Sequence, residues 1–154
     1  MSDLIVINHA PGSPGLRLMG LGPKLSPVHG LIKLQKLLND NTSWAKERNN
    51  KQIKNMLSNS QVIISVWKYK NLIGFGRATS DGTFRAVLWD IVVEKNYQHL
   101  GIGSRIVTSI LRHPKIRNVE KIYSMTTHCE EFYSKMGFMK EKNQILMKSV
   151  KIKD

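Results

Sequence analysis

Three closely spaced runs, 62–67, 72–78 and 84–93, constrain this chain more than any other stretch. Each is rich in β-branched and aromatic residues, the composition of a strand. Lys70-Asn71 and Asp81-Gly82 sit at the two breaks, so the runs read as a three-stranded antiparallel meander. Leu31, Leu34, Leu37 and Leu38 recur at helical spacing with Lys33 and Lys36 on the other side, which predicts an amphipathic helix over 28–39. A second helix is predicted over 44–57, capped by Ser43, with Ile53, Met56 and Leu57 inward and the basic run Lys46, Arg48, Lys51 and Lys54 on a solvated face. At the beginning, the apolar segments 4–8 and 16–21 flank Pro11-Gly12-Ser13-Pro14-Gly15, a strong turn signal. They read as two short strands, or as an extended arm followed by a strand, within residues 1–22. After the meander, Ile102, Ile106, Val107, Ile110 and Leu111 trace a helical stripe that ends before Pro114. A strand over 121–125, a short helix over 130–136 closed by Gly137, and a last strand over 145–150 follow. This interleaving is that of a mixed α/β (α+β) chain, too intermixed to split, so residues 1–154 are expected to form a single domain.

The length of 154 residues suits one hydrophobic core. Apolar runs are only a few residues long, far short of the roughly 20 needed to span a bilayer. Residues 1–10 contain Asp3 and lack a basic region followed by an apolar core, so they do not read as a secretory signal. A lone Cys129 excludes an intramolecular disulfide and a cysteine metal cage. The five histidines, at 9, 29, 99, 113 and 128, show no ligand spacing, so no metal is expected. These features together point to a cytoplasmic protein. Its unusual bulk property is a net charge of +13, from 24 basic and 11 acidic residues. The basic residues are dispersed and form no recognised nucleic-acid motif, so nucleic acid is not the expected partner.

The sharpest local signal is Val92-Val93-Glu94-Lys95-Asn96-Tyr97-Gln98-His99-Leu100-Gly101-Ile102-Gly103, running from strand into helix. Glycines at 101 and 103 let the backbone turn and approach a ligand closely. The helix behind them offers unpaired N–H groups and a positive dipole end, and Arg105 adds charge in the first turn. Together these can cradle a phosphate or pyrophosphate; an ordinary strand-to-helix turn with packing glycines would look the same. The spacing matches neither the dinucleotide-binding fingerprint nor a P-loop. It does match the Gln/Arg-x-x-Gly-x-Gly/Ala signature of the GNAT superfamily of N-acetyltransferases. Further on, Phe132-Tyr133-Ser134-Lys135-Met136-Gly137-Phe138 resembles that superfamily's second hallmark, Phe-Tyr-x-x-x-Gly-Phe. The order of elements is similar over nearly the whole chain. The stretch 74–93, with Arg77-Ala78-Thr79-Ser80-Asp81 and Leu88-Trp89-Asp90, is similar to plastid and cyanobacterial members related to the plant-type serotonin N-acetyltransferases.

The resemblance implies a GNAT fold with a mixed, mostly antiparallel sheet flanked by helices, and acetyl-CoA as co-substrate. It implies that the strand holding Ile91, Val92 and Val93 splays from its neighbour to receive the pantetheine arm. Gln98, His99, Leu100, Gly101, Ile102, Gly103 and Ser104 would take the pyrophosphate, although His99 and Leu100 stand where members often have glycine and a basic residue. Tyr133 would protonate the departing thiolate, for which a phenol of pKa about 10 is suited. The acceptor would be a primary amine, either a small molecule such as an arylalkylamine or a protein amino group, and members are often homodimers. If the protein is organellar, the plastid stroma is the expected compartment. An amine of pKa near 10 is only about 0.1% neutral at pH 7, so a base or water chain is needed. Asp90 is the first candidate, with Glu94 and His128 behind it. Strand alternation puts Asp90 and Val92 on one face and Ile91 and Val93 on the other. Asp81, Asp90 and Glu94 are the mid-chain carboxylates that could meet a cationic amine. Trp44, Trp67 and Trp89 read as core or as substrate wall. A non-catalytic acyl-CoA-binding or regulatory domain, and a protein- or ribosome-directed acetyltransferase, are the alternatives.

Overall fold

The computed structural model describes residues 3–9 and 29–150. The expected strand over 16–21 and the turn before it lie outside the described residues. Five strands are described, β1 (Leu4–His9), β2 (Val62–Lys68), β3 (Asn71–Ser80), β4 (Arg85–Val93) and β5 (Lys121–Ser124). Four α-helices accompany them, α1 (Gly30–Asn41), α2 (Asn50–Ser58), α3 (Ile102–Leu111) and α4 (Glu130–Lys135), with a 3₁₀ turn at Lys95–Tyr97. The sheet order is β1-β2-β3-β4-β5; the first three pairings are antiparallel and β4–β5 is parallel. A parallel neighbour needs a crossover, which α3 supplies.

Both faces of the sheet are covered, and the side chains sort accordingly. Leu34, Leu37 and Leu38 of α1 and Ile53 and Leu57 of α2 pack with Ile63, Trp67, Phe75 and Val92 on one face. Ile102, Ile106, Val107 and Ile110 of α3 pack with Val62, Ile64, Val66, Ile73, Ala86 and Leu88 on the other. Double coverage explains why β2 is buried almost continuously, whereas a one-sided strand would alternate. Gly76 makes the close approach of α3 possible: a Cβ there would fall 2.5 Å from Ile106 Cγ2 and 2.8 Å from Ile91 Cδ1.

Two expectations are corrected. The second helix begins six residues later than its pattern suggested, and Ser43 does not cap it. Asn49 does, accepting the Gln52 amide at 2.8 Å while Gln52 Oε1 accepts the Asn49 amide at 2.9 Å. The residues before it form a connection in which Thr42 Oγ1 accepts the Ala45 amide and Glu47 sits at φ 62, outside the helical region. Residues 145–150 form no strand. Ile145, Leu146, Met147 and Val150 are between 77% and 85% exposed, and no described strand runs beside them. A strand needs a pairing neighbour; composition alone does not create one.

Candidate active site

The β4–β5 ladder ends early. It pairs Arg85–Leu88 with Lys121–Ser124, while β4 continues to Val93 against β3. From Trp89 to Val93 the backbone of β4 therefore faces β5's side with no strand partner, and the sheet opens there. The opening begins at a β-bulge: Phe75 pairs with Val92 but Arg77 pairs with Trp89, so β4 carries one extra residue. Asp90 occupies the bulge at φ 53, a left-handed conformation that Asp tolerates better than most residues. The bulge also switches the alternation of β4. Ala86 and Leu88 lie on the α3 face, but beyond the bulge it is Ile91 and Val93 that do so, while Val92 packs beneath α1.

At the far end of the opening the chain turns into α3. Gln98 Nε2 donates to the Val93 carbonyl at 3.0 Å, tying the turn to the end of β4. His99 and Gly101 both have positive φ, 62 and 81, and Gly101 stands at the N-cap of α3 with nothing within 4 Å of the place a Cβ would occupy. The first amides of the ten-residue helix point into this space without an intrahelical partner. His99, Leu100 and Gly101 are exposed, Gly103 and Ser104 are half-buried, and the Ile102 side chain is in the core, so Ile102 can contribute only its amide. Gly103 lies against the Phe132 ring, 3.4 Å from its virtual Cβ, which brings α4 beside the start of α3.

Tyr133 projects from α4 between Phe132 and Phe138, with edge-on ring contacts at 5.0 and 5.4 Å. Its phenol faces Ser124, the last residue of β5, whose register partner on β4 is Leu88. Tyr133 therefore stands where the two strands part. Burial pushes its phenol above the ordinary value, outweighing the lowering by Ser124, and Cys129 adds to the rise. The group keeps its proton at neutral pH.

Asp90 is held from three directions. Its carboxylate accepts from Arg77 Nε at 2.8 Å, Arg48 Nη1 at 3.0 Å and Trp44 Nε1 at 3.1 Å. Burial alone would raise its pKa, but the two guanidinium groups outweigh this and hold it below the usual carboxylate value. Arg77 in turn donates to Ser60 Oγ and lies over the Trp89 ring, whose Nε1 donates to Thr79 Oγ1. Arg48 thus belongs to this network, not to a solvated helix face. Trp44, 60% exposed, keeps its ring in solvent while its N–H is anchored. The other carboxylates and the histidine stand apart from this cluster. Asp81 Oδ1 accepts the amides of Thr83, Phe84 and Arg85 and so shapes the β3–β4 turn. Glu94 lies half-buried at the end of β4, and His128 is exposed in the turn before α4. Trp67 is core. The participation of Trp44, Arg48 and Ser124 had no local sequence signal, because their partners are 46, 42 and nine residues away.

Residues 31–138 match the Acetyltransferase (GNAT) family, and the chain belongs to it. Among proteins of that kind, the uncharacterized N-acetyltransferase ycf52 of Pyropia yezoensis is 37% identical over 119 residues, 72% of this chain and 66% of its own length. The chloroplastic GCN5-related N-acetyltransferase 2 of Arabidopsis thaliana is 37% identical over 70 residues, 45% of this chain and 27% of its own length. The chain thus spans less than two thirds of the length of these relatives. A solved GNAT family acetyltransferase from Streptococcus pneumoniae superposes with a TM-score of 0.67 at 18% identity, covering 94% of this chain and 98% of that one, which shows the shared fold.

Among the described residues, no helix is long and apolar enough to cross a membrane, and no group of three or more His, Cys, Asp or Glu is placed to hold a metal.

Proposed function

We propose that this protein transfers the acetyl group of acetyl-CoA to a primary amine, with an arylalkylamine such as serotonin as the acceptor class. The observation that carries the reading is the parting of β4 from β5 at Leu88 and Ser124, with Tyr133 at its apex and the free amides of α3 at its far end. The residues fit the co-substrate: the backbone of 91–93 has no strand partner on β5's side and can receive amide groups of an extended pantetheine arm, and the open cradle at Gly101 can receive a pyrophosphate. Acetyl-CoA supplies the thioester carbonyl that the amine attacks and the thiolate that leaves.

The chain's own residues perform the rest. Gln98 fixes the turn that aims the α3 amides, and the helix dipole favours negative charge there. Tyr133 Oη carries the proton that a departing thiolate requires, and its raised pKa keeps that proton available across the neutral range. Asp90 acts as a positioning residue. With three donors on its carboxylate and a depressed pKa, it is a poor proton acceptor, but it fixes the bulge that starts the opening and anchors Trp44 beside it. The exposed Trp44 ring supports an aromatic acceptor, against which it can stack. The amine's proton passes to water at this exposed rim. The chloroplastic relative supports a plastid stromal setting.

The test is a thiol-release assay with acetyl-CoA and a panel of arylalkylamines, polyamines and basic peptides. Amine-dependent release that falls about a hundredfold in Tyr133→Phe, with CoA affinity unchanged, is expected. CoA binding without release for any acceptor would replace transfer with a binding role, and absence of CoA binding would refute the reading at its base.

A further inference from the structure

We infer that the cavity between α1, the start of β3 and the 3₁₀ turn after β4 is a second ligand site, taking a small organic monophosphate with a flat apolar body, and that its occupant acts as an effector of co-substrate binding. The cavity measures about 680 Å³, within the size of small-molecule sites. Buried Leu37 and Leu72 floor it together with the half-buried Tyr97, and Lys33 and Lys95 stand at its walls. It is separate from the opening between β4 and β5. Leu37 and Leu72 belong to the core beneath α1, whereas Phe132 and Tyr133 pack on the α3 face. Glu94, at the cavity, lies six residues beyond Leu88, roughly 18 Å away in extended chain.

Charge selects the ligand. Lys33 Nζ donates to the Lys70 carbonyl and lies 5.7 Å from the centre of the Trp67 ring. Among the described residues, neither Lys33 nor Lys95 ion-pairs with a carboxylate. The two carboxylates at the cavity act on Lys36 instead: Asp40 is its ion-pair partner, and Glu94 adds a weaker attraction. Burial and the nearby Lys70 charge both work against the Lys33 ammonium and lower its pKa, a cost that a bound anion reverses. Ammonium groups meet an anion as point charges, which suits phosphate, whereas a carboxylate is better matched by the fork of an arginine. The leucine floor and the Tyr97 ring add a seat for a flat apolar body, which inorganic phosphate cannot use. The far wall links the site to the start of α3. Asn41 Oδ1 of α1 accepts the Lys95 amide at 2.9 Å, the Tyr97 amide donates to the Glu94 carbonyl at 2.8 Å, and Gln98 follows directly. A ligand bridging Lys33 and Lys95 ties α1 to this turn, so less freedom remains to be lost when the cradle closes on a pyrophosphate, and CoA binds more tightly.

The probe is phenyl phosphate, titrated into the wild-type protein by calorimetry. The expected dissociation constant is below about 1 mM and at least about tenfold tighter than that of inorganic phosphate. Lys33→Gln/Lys95→Gln replaces both charges with neutral amides and should weaken binding at least about tenfold with an unchanged circular dichroism spectrum. This first titration contains no CoA, so it stands whether or not the protein is an acetyltransferase. In a second titration, saturating phenyl phosphate should tighten CoA binding about fivefold in the wild type and leave it unmoved in the double variant. Absence of phenyl phosphate binding, equal binding of inorganic phosphate, or full binding by the double variant would each overturn the site. Displacement of the probe by CoA would make it part of the co-substrate's own seat, and a CoA affinity indifferent to the probe would overturn the effector role.

Discussion

Replacing Asp90 separates a positioning role from a catalytic one, and the structure sets the size of the effect. Asp90→Ala would leave Arg77, Arg48 and the Trp44 N–H without their acceptor. Stripping one partner from a fully buried ion pair costs about 3–5 kcal/mol. Here the arginine side chains are 14% and 28% exposed, so water recovers part of the loss and about 2–3 kcal/mol remains. Alanine at φ 53 adds about 1 kcal/mol of backbone strain. The total, about 3–4 kcal/mol, corresponds to a fall in melting temperature of roughly 10 °C for a chain of this size. Asp90→Asn keeps the tolerance for positive φ and one acceptor oxygen, and should cost only about 1–2 kcal/mol. The pH dependence has a definite sign. A carboxyl whose folded pKa lies below its ordinary 3.8 contributes stability that is complete above that value and is lost as pH falls through the folded one. Asp90→Asn should flatten that acid limb. Thermal melts from pH 7 down to about 2.5, with turnover measured in parallel, check both points. A loss below about 0.5 kcal/mol in Asp90→Ala would refute the anchoring argument. A drop in kcat of a hundredfold or more in Asp90→Asn (about the contribution of a general base), at little cost in stability, would make Asp90 the base after all.

Two further outcomes follow from particular residues. Gly101→Ala places a side chain at φ 81 with open space around it, so the cost is backbone strain alone, about 1 kcal/mol; calorimetry should show CoA binding weakened roughly fivefold, with Gly101→Asn retaining more of it. His9, buried with Nε2 2.6 Å from Ser65 Oγ, has its pKa lowered by burial from 6.5 to about 4. The stability it contributes by staying neutral is therefore complete above 6.5 and declines by about 3 kcal/mol as pH falls toward 4, a slope that urea titrations should find missing in His9→Gln.

Much of the architecture was legible before any coordinates. The meander, the leucine stripe of α1 and the isoleucine stripe of α3 are local periodicities, and each was matched within a few residues by the element it foretold. The glycine turn into α3 was legible too, because positive φ at Gly101 and the helix behind it are local requirements written in adjacent residues. The boundary of α2 was missed because the apolar spacing continued past the true cap, and only the Asn49–Gln52 exchange of hydrogen bonds chose between two starts.

What the linear order determined, then, is whatever depends on neighbours along the chain: the elements, their periodic faces and the glycine turn that precedes α3. Tertiary structure alone decided the rest. It brought Trp44 and Arg48 to a carboxylate more than 40 residues away and inserted the bulge that turns that carboxylate toward them. It ended the β4–β5 ladder at Leu88, opening the sheet below Tyr133. It also left 145–150 without a neighbour. The physical reason is common to all four: a hydrogen bond, a bulge and a strand pairing each have two sides, and only the folded chain decides whether the second side is supplied.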